Sequence, residues 1–259
     1  MSLSEEIHGS GEKKIFFIMG LGISLQGWAL QKEYFSSLAD YTIVVFDNRG
    51  VGYSDIAESK VHSTFELAVD ASELLEHIGW HNEVNLVGVS MAGRATAPLK
   101  GMIGIALTAL MPSKKNEIMA GMLFPETYLR VAAPSDFKPI HIPVTEFYTN
   151  KDVFIENSFV RAKLTKPTTL KGLLNQVKSV GNHFVSTDRL NALGDAPHLR
   201  ILVCTGDTDN VNKLVRPSNS KHLSTHLGAK LIIYEDSGHS LLQQHTVRYN
   251  KMIQDWIES

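Results

Sequence analysis

Apolar residues fall along this chain in two alternating rhythms. Ile15-Phe16-Phe17-Ile18-Met19 and Tyr41 to Phe46 are nearly unbroken apolar runs, the pattern of strands buried on both faces of a sheet. Thr64 to Ile78 instead repeats every three to four residues. Leu67, Ala71, Leu74, Leu75 and Ile78 share one helix face, Glu66, Asp70, Glu73 and Glu76 lie largely on the other, and Gly79 ends the helix. Val84 to Gly88 is strand-like again. Farther on, Leu170 to Val180 and Val185 to Leu193 read as helices and Arg200 to Thr205 as a buried strand. Lys221 to Leu227 is a helix closed by Gly228, Leu231 to Tyr234 the last strand, and Gln243 to Trp256 an amphipathic terminal helix. Strand alternating with helix predicts an α/β chain built on a mostly parallel sheet flanked by helices.

Between Pro98 and about Thr169 this beat is lost. Met102, Met111, Met119 and Met122, several prolines and scattered aromatics replace it. The expected organisation is a core of residues 1–97 and 170–259, interrupted by a helical insert of residues 98–169 that could cap a site. Methionine and aromatic side chains line cores more often than they meet substrate, so both readings of the insert stay open.

Composition narrows the classes of function. The chain has 259 residues, 43% hydrophobic and 20% charged, as for one large globular unit. A formal charge of −2 offers no broad positive field for nucleic acid or an anionic membrane. The polar, acidic opening Met-Ser-Leu-Ser-Glu-Glu is unlike a targeting peptide, and the apolar stretch Met102 to Met111 is too short to span a bilayer. A cytoplasmic location is the expectation. The single cysteine, Cys204, lies in an apolar run and reads as a buried structural thiol.

The chemistry concentrates after Val84. Val-Asn-Leu-Val-Gly-Val-Ser-Met-Ala-Gly drives a strand into Gly88, then Ser90, then small residues. That pattern presents a serine hydroxyl on a sharp strand-to-helix turn, with Ala92 where Gly-x-Ser-x-Gly has its last glycine and Gly93 just beyond. Gly20-Leu21-Gly22 follows the first buried strand. A dinucleotide fingerprint there would need a third glycine where Leu25 stands, so the better reading is a loop whose backbone N–H groups face the serine turn. Asp47, Arg49, Gly50 and Gly52 suggest a tight structural turn pinned by an internal ion pair.

Five pieces in order carry a resemblance: Gly20-Leu21-Gly22 with Trp28, Asp47-x-Arg49-Gly50-x-Gly52-x-Ser54, Gly88-x-Ser90-x-Ala92-Gly93, Gly206-x-x-Asp209 and Gly238-His239. Each stands at the C-terminal end of an expected strand, and over nearly its whole length the chain resembles the α/β-hydrolase fold superfamily, serine hydrolase type with a cap. The resemblance implies a nucleophile, acid and histidine in that order, supplied here by Ser90, Asp209 and His239. Asp207 competes for the acid role, and spacing from Gly206 favours Asp209. His183 and His245 lack the glycine-after-strand setting of His239. The resemblance further implies an oxyanion hole from the backbone N–H groups of Met91 and Leu21, each such donor typically worth about 3 kcal/mol. Relatives that attack halides or epoxides carry a carboxylate in place of Ser90, which leaves acyl transfer to water. The expected enzyme is an esterase or lipase acting on a small, apolar acyl substrate, whether ester, thioester or amide, without cofactor or metal.

The chain departs from its relatives after Gly93. Met91 to Ala97 allows about 10 Å of helix before Pro98, and no convincing core strand follows. A core strand with three large buried side chains contributes roughly 5–9 kcal/mol by transfer. Ile103 to Leu110, within residues 94–112, must therefore substitute, or strands 84–88 and 201–204 pair directly, or the sheet is left incomplete. The last outcome points to a second class of function, a catalytically silent protein of the same fold. Only Leu3 to His8 precedes the first buried strand, so the outermost first strand of the resemblance is expected to be missing.

Overall fold

A computed structural model of the chain describes residues 2–56, 63–90, 115–209 and 216–259. Residues 94–112, expected either to replace a strand or to leave a gap, lie outside the described residues. The chain divides into two compact units, Met1–Arg94 with Thr165–His183 and His245–Ser259, and Ala95–Leu164 with Phe184–Gln244.

The first unit is built on four strands, β1 (Glu5–Gly9), β2 (Lys13–Ile18), β3 (Tyr41–Phe46) and β4 (Val84–Gly88), in the order β1-β3-β2-β4. β2 is parallel to both neighbours, with Phe16 opposite Val44 on β3 and Leu86 on β4. The segment before β2 supplies a strand of its own, because β1 pairs antiparallel with β3 from Glu5↔Phe46 to Gly9↔Thr42. Alternation along β2 sends successive rings to opposite faces. Phe16 joins Val44, Phe46, Ala71 and Leu74 beneath α2 (Thr64–His77). Phe17 turns the other way, 4.8 Å from the Trp28 ring and 6.0 Å from that of Phe35 on α1 (Ala29–Ser36). A short 3-10 turn, Leu25–Trp28, leads into α1.

The expected ion pair of this unit is corrected. Arg49 does not pair with Asp47. Its Nε and Nη2 donate to the two carboxylate oxygens of Asp70 at 2.5 and 2.6 Å, so Asp70 belongs to the buried face of α2 and not its solvent face. On β4, Leu86 is 61% exposed.

In the second unit β5 (Leu202–Gly206) and β6 (Lys230–Tyr234) run parallel. Residues 115–163 contribute α3 (Lys115–Leu123), α4 (Glu126–Leu129) and α5 (Asn150–Lys163), packed through Ala120, Phe124, Leu129 and Phe154. The remaining helices are α6 (Leu170–Gly181) of the first unit, α7 (Thr187–Gly194), α8 (Pro217–His226) and α9 (Leu241–Gln244) of the second, and α10 (Thr246–Glu258), again of the first. The terminal helix expected as one piece is therefore two, broken at His245, where φ −128° and ψ 45° leave the helical region. No described helix is long and apolar enough to cross a membrane.

Candidate active site

The first unit holds the candidate nucleophile. β4 ends at Gly88, and two residues later Ser90 has φ +61°, in the left-handed region where a side chain costs of order 1–3 kcal/mol and which marks functional turns. The loop after β2 comes close to this turn. A Cβ placed on Gly20 would stand 2.9 Å from Ser90 Cβ and 3.2 Å from the Val89 carbonyl oxygen, so only glycine fits. Side chains hold this loop in place. Asn48 Nδ2 donates to the Met19 carbonyl at 2.8 Å, and the Leu25 N–H donates to Asp47 Oδ1 at 2.7 Å. The Gly22 N–H donates to Gln176 Oε1 at 2.7 Å, and Thr168 Oγ1 donates to the Gly22 carbonyl at 3.1 Å. Leu21, the expected oxyanion donor, stands in this loop; Met91, the other, lies outside the described residues.

Asp47 is the hub of the neighbouring turn. Its second oxygen accepts the Tyr53 N–H at 3.0 Å, and its own carbonyl accepts Ser54 Oγ at 2.6 Å. Burial raises the Asp47 carboxyl above the usual range, against the opposing pull of the Leu25 and Tyr53 N–H donors. On Arg49 the hydrogen bonds it donates to Asp70 outweigh burial and raise the guanidinium further. Both residues shape loops, as a structural reading of this turn requires.

The second unit pairs the candidate acid and base. His239 Nδ1 lies 2.9 Å from Asp209 Oδ2 and 3.2 Å from Oδ1, with Asp209 buried and His239 partly so. A carboxylate only accepts, so Nδ1 carries a proton, and in the neutral imidazole the lone pair is then on Nε2, the tautomer a general base needs. Two loops after parallel strands build the pair. Thr208 donates to the Ser237 carbonyl through both its N–H (3.1 Å) and its Oγ1 (2.7 Å), and the Ser237 N–H donates to Asp207 Oδ1 at 3.1 Å. Asp207 therefore ties loop to loop, while Asp209 is the residue facing the imidazole. Gly206 permits the approach, since a Cβ there would overlap the Ser237 carbonyl oxygen. On the far side the Ser240 N–H donates to the Leu123 carbonyl at 3.2 Å, which sets the end of α3 against the histidine turn.

Other candidates fall elsewhere. His183 Nδ1 bonds Thr64 Oγ1 at 2.5 Å, and His245 precedes α10. Burial pushes the Cys204 thiol up to about 11, so it is neither thiolate nor nucleophile near neutrality. Among the described residues no three His, Cys, Asp or Glu side chains are grouped to hold a metal ion. Sequence reasoning passed over Gln176 and Thr168. Their one local signal is that Gln176 shares a helical face with Gly172, Ser179 and Val180, a polar side chain at a buried position.

Comparison with known proteins bears on the whole chain. A family model described as "Alpha/beta hydrolase family" matches residues 7–251. No curated protein matches the sequence. Among solved structures, an esterase from Exiguobacterium antarcticum is similar with a TM-score of 0.75 at 15% identity, over 99% of this chain and 96% of that one. The enol-lactonase from Burkholderia xenovorans LB400 has a TM-score of 0.71 at 16% identity, over 99% and 96% of the two chains. A bromoperoxidase from Bacillus anthracis has a TM-score of 0.72 at 17% identity, over 99% and 95%. At these identities the likeness is one of fold. The family model is the stronger finding, because it spans both units and nearly all of the motifs described above, and by it the chain belongs to the alpha/beta hydrolase family.

Proposed function

We propose that this protein is a serine hydrolase that cleaves a carboxylic ester or related acyl bond through Ser90, His239 and Asp209. The observation that carries the reading is the imidazole of His239, held by Nδ1 on Asp209 so that Nε2 is the base. A serine hydroxyl is a weak nucleophile near neutral pH and needs such a base. In the proposed reaction Nε2 takes the Ser90 proton as Oγ attacks the carbonyl carbon. The tetrahedral oxyanion is met by the N–H groups of Leu21 and Met91. The imidazolium then protonates the leaving alcohol, and water, deprotonated in turn by Nε2, releases the acid and restores Ser90. Asp209 holds the tautomer and stabilises the imidazolium without itself taking the proton.

The esterase and lactonase among the similar structures support an ester or a cyclic ester as the bond cleaved. Methionines 119 and 122 in α3, adaptable apolar side chains, are the support for an apolar acyl group. No cofactor, metal or nucleic acid takes part in the reaction as proposed. The test is labelling of the folded protein by a fluorophosphonate probe. Wild type is expected to be labelled stoichiometrically and Ser90→Ala not at all, with p-nitrophenyl acetate hydrolysis lost in parallel. Absence of labelling in folded wild type would overturn the proposal and leave a catalytically silent member of the fold.

A further inference from the structure

The loop between β2 and the Leu25–Trp28 turn is fastened at four backbone groups by side chains. Asn48 holds the Met19 carbonyl, Asp47 the Leu25 N–H, and Gln176 and Thr168 hold the two sides of Gly22. Gly22 is the soft point of the loop, with φ +68° and no Cβ to restrict it. Gln176 is the best-placed of the four to stiffen it. It is 1% exposed, its Oε1 takes the Gly22 N–H, and its Nε2 donates to the Arg49 carbonyl at 3.3 Å, so one amide joins the loops after β2 and β3. The helix carrying it is seated by glycines on both sides, since Gly172 faces the Gly50 backbone with no room for a Cβ. Between the fastened groups lie Gly20 and Leu21, with Gly20 against Ser90. The Gly22 N–H is consumed by Gln176, whereas the Leu21 N–H donates to none of the described residues.

We infer that Gln176 is a positioning residue for oxyanion binding, which selects the Leu21 N–H as the donor and holds it beside Ser90 by clamping Gly22. The inference rests on the serine hydrolase reading. It extends that reading to a residue on α6 that never touches substrate. Preorganised donors act on the transition state and not on the bound substrate, so the clamp is felt in kcat and hardly in KM. Removing it lets the loop pivot at Gly22, and a misplacement of about 1 Å costs on the order of 100-fold.

The experiment compares wild type with Gln176→Met, which keeps the volume and removes both hydrogen bonds. Hydrolysis of p-nitrophenyl acetate is expressed per site titrated with fluorophosphonate, and the affinity of phenylboronic acid, a tetrahedral anion mimic, is measured alongside. The expected result is a fall in kcat of about 10–100-fold with KM changed by less than about twofold, and an equal fall in boronic acid affinity. An unchanged kcat per titrated site, with only the titratable fraction or thermal midpoint reduced, would overturn the inference in favour of simple packing. Should Gln176→Met fail to fold, Gln176→Asn carries the test. It keeps a buried amide but is one carbon shorter, which draws it back from both the Gly22 N–H and the Arg49 carbonyl, so the same fall in kcat is expected and an unchanged kcat overturns the inference. If wild type is not labelled at Ser90, the serine hydrolase reading fails and this inference with it; if wild type is labelled and both variants match it, only the inference fails.

Discussion

Asp207 and Asp209 are two residues apart and follow the same strand, yet their side chains have different work. Asp209 faces the His239 imidazole, and Asp207 accepts a backbone N–H from Ser237. Replacement of each by asparagine separates the roles. Asp209→Asn presents an amide that can hold the wrong tautomer, and kcat is expected to fall by about 10⁴-fold. Asp207→Asn retains a carbonyl acceptor and is expected to cost about 1 kcal/mol of stability, with kcat within about tenfold of wild type. Steady-state kinetics and thermal melts of the two variants check this, and a larger kcat loss in Asp207→Asn would reverse the assignment. Arg49 teaches a related lesson. Its guanidinium forms a fork on Asp70, a geometry that requires a coplanar carboxylate, while the nearer Asp47 is committed to backbone N–H groups on two sides.

Elements here are placed by close backbone approaches as much as by apolar faces. α6 presents Gly172, Gln176, Ser179 and Val180 inward, while Leu170 and Leu174 remain about half exposed. The glycine contact with Gly50 fixes which face turns in, and Gln176, buried on that face, bonds loop backbone. The end of β5 follows the same logic. Gly206→Ala would drive a methyl group into the Ser237 carbonyl oxygen and part the two loops that bring Asp209 to His239. We expect a loss of about 1–3 kcal/mol in stability and on the order of 100-fold in kcat. Calorimetry and ester hydrolysis on the purified variant test both, and wild-type kcat would show the approach to be dispensable.

At the scale of the whole molecule, stability toward acid should depend on a buried carboxylate of α5. Glu156 accepts the N–H groups of Ile140, His141 and Ile142 and sits 2.7 Å from His141 Nδ1. Burial alone would raise its pKa, but these donors together lower it from 4.5 to about 2. A carboxyl more acidic in the folded chain than in the unfolded one stabilises above its ordinary pKa. That contribution is lost as pH falls from about 4.5 through 2. Glu156→Gln is expected to be less stable than wild type at pH 7 and to have a flatter melting temperature between those limits. A pH series of thermal melts checks it, and parallel curves for the two proteins would contradict it.

What the sequence alone determined is local. Runs of β-formers, helical periods and the glycines after strands are set by backbone and near-neighbour physics. Tyr41–Phe46, Val84–Gly88 and Thr64–His77 therefore lie where the pattern put them, and Ser90, Asp209 and His239 could be named as candidates without coordinates. Tertiary structure alone decided the partners. Arg49 went to Asp70, Asp207 to the Ser237 N–H, and a glutamine 154 positions away closed on Gly22. Those choices turn on distances of a few ångströms between segments remote in the chain. A hydrogen bond or ion pair depends steeply on such distances, and a pattern of neighbouring residues carries no record of them.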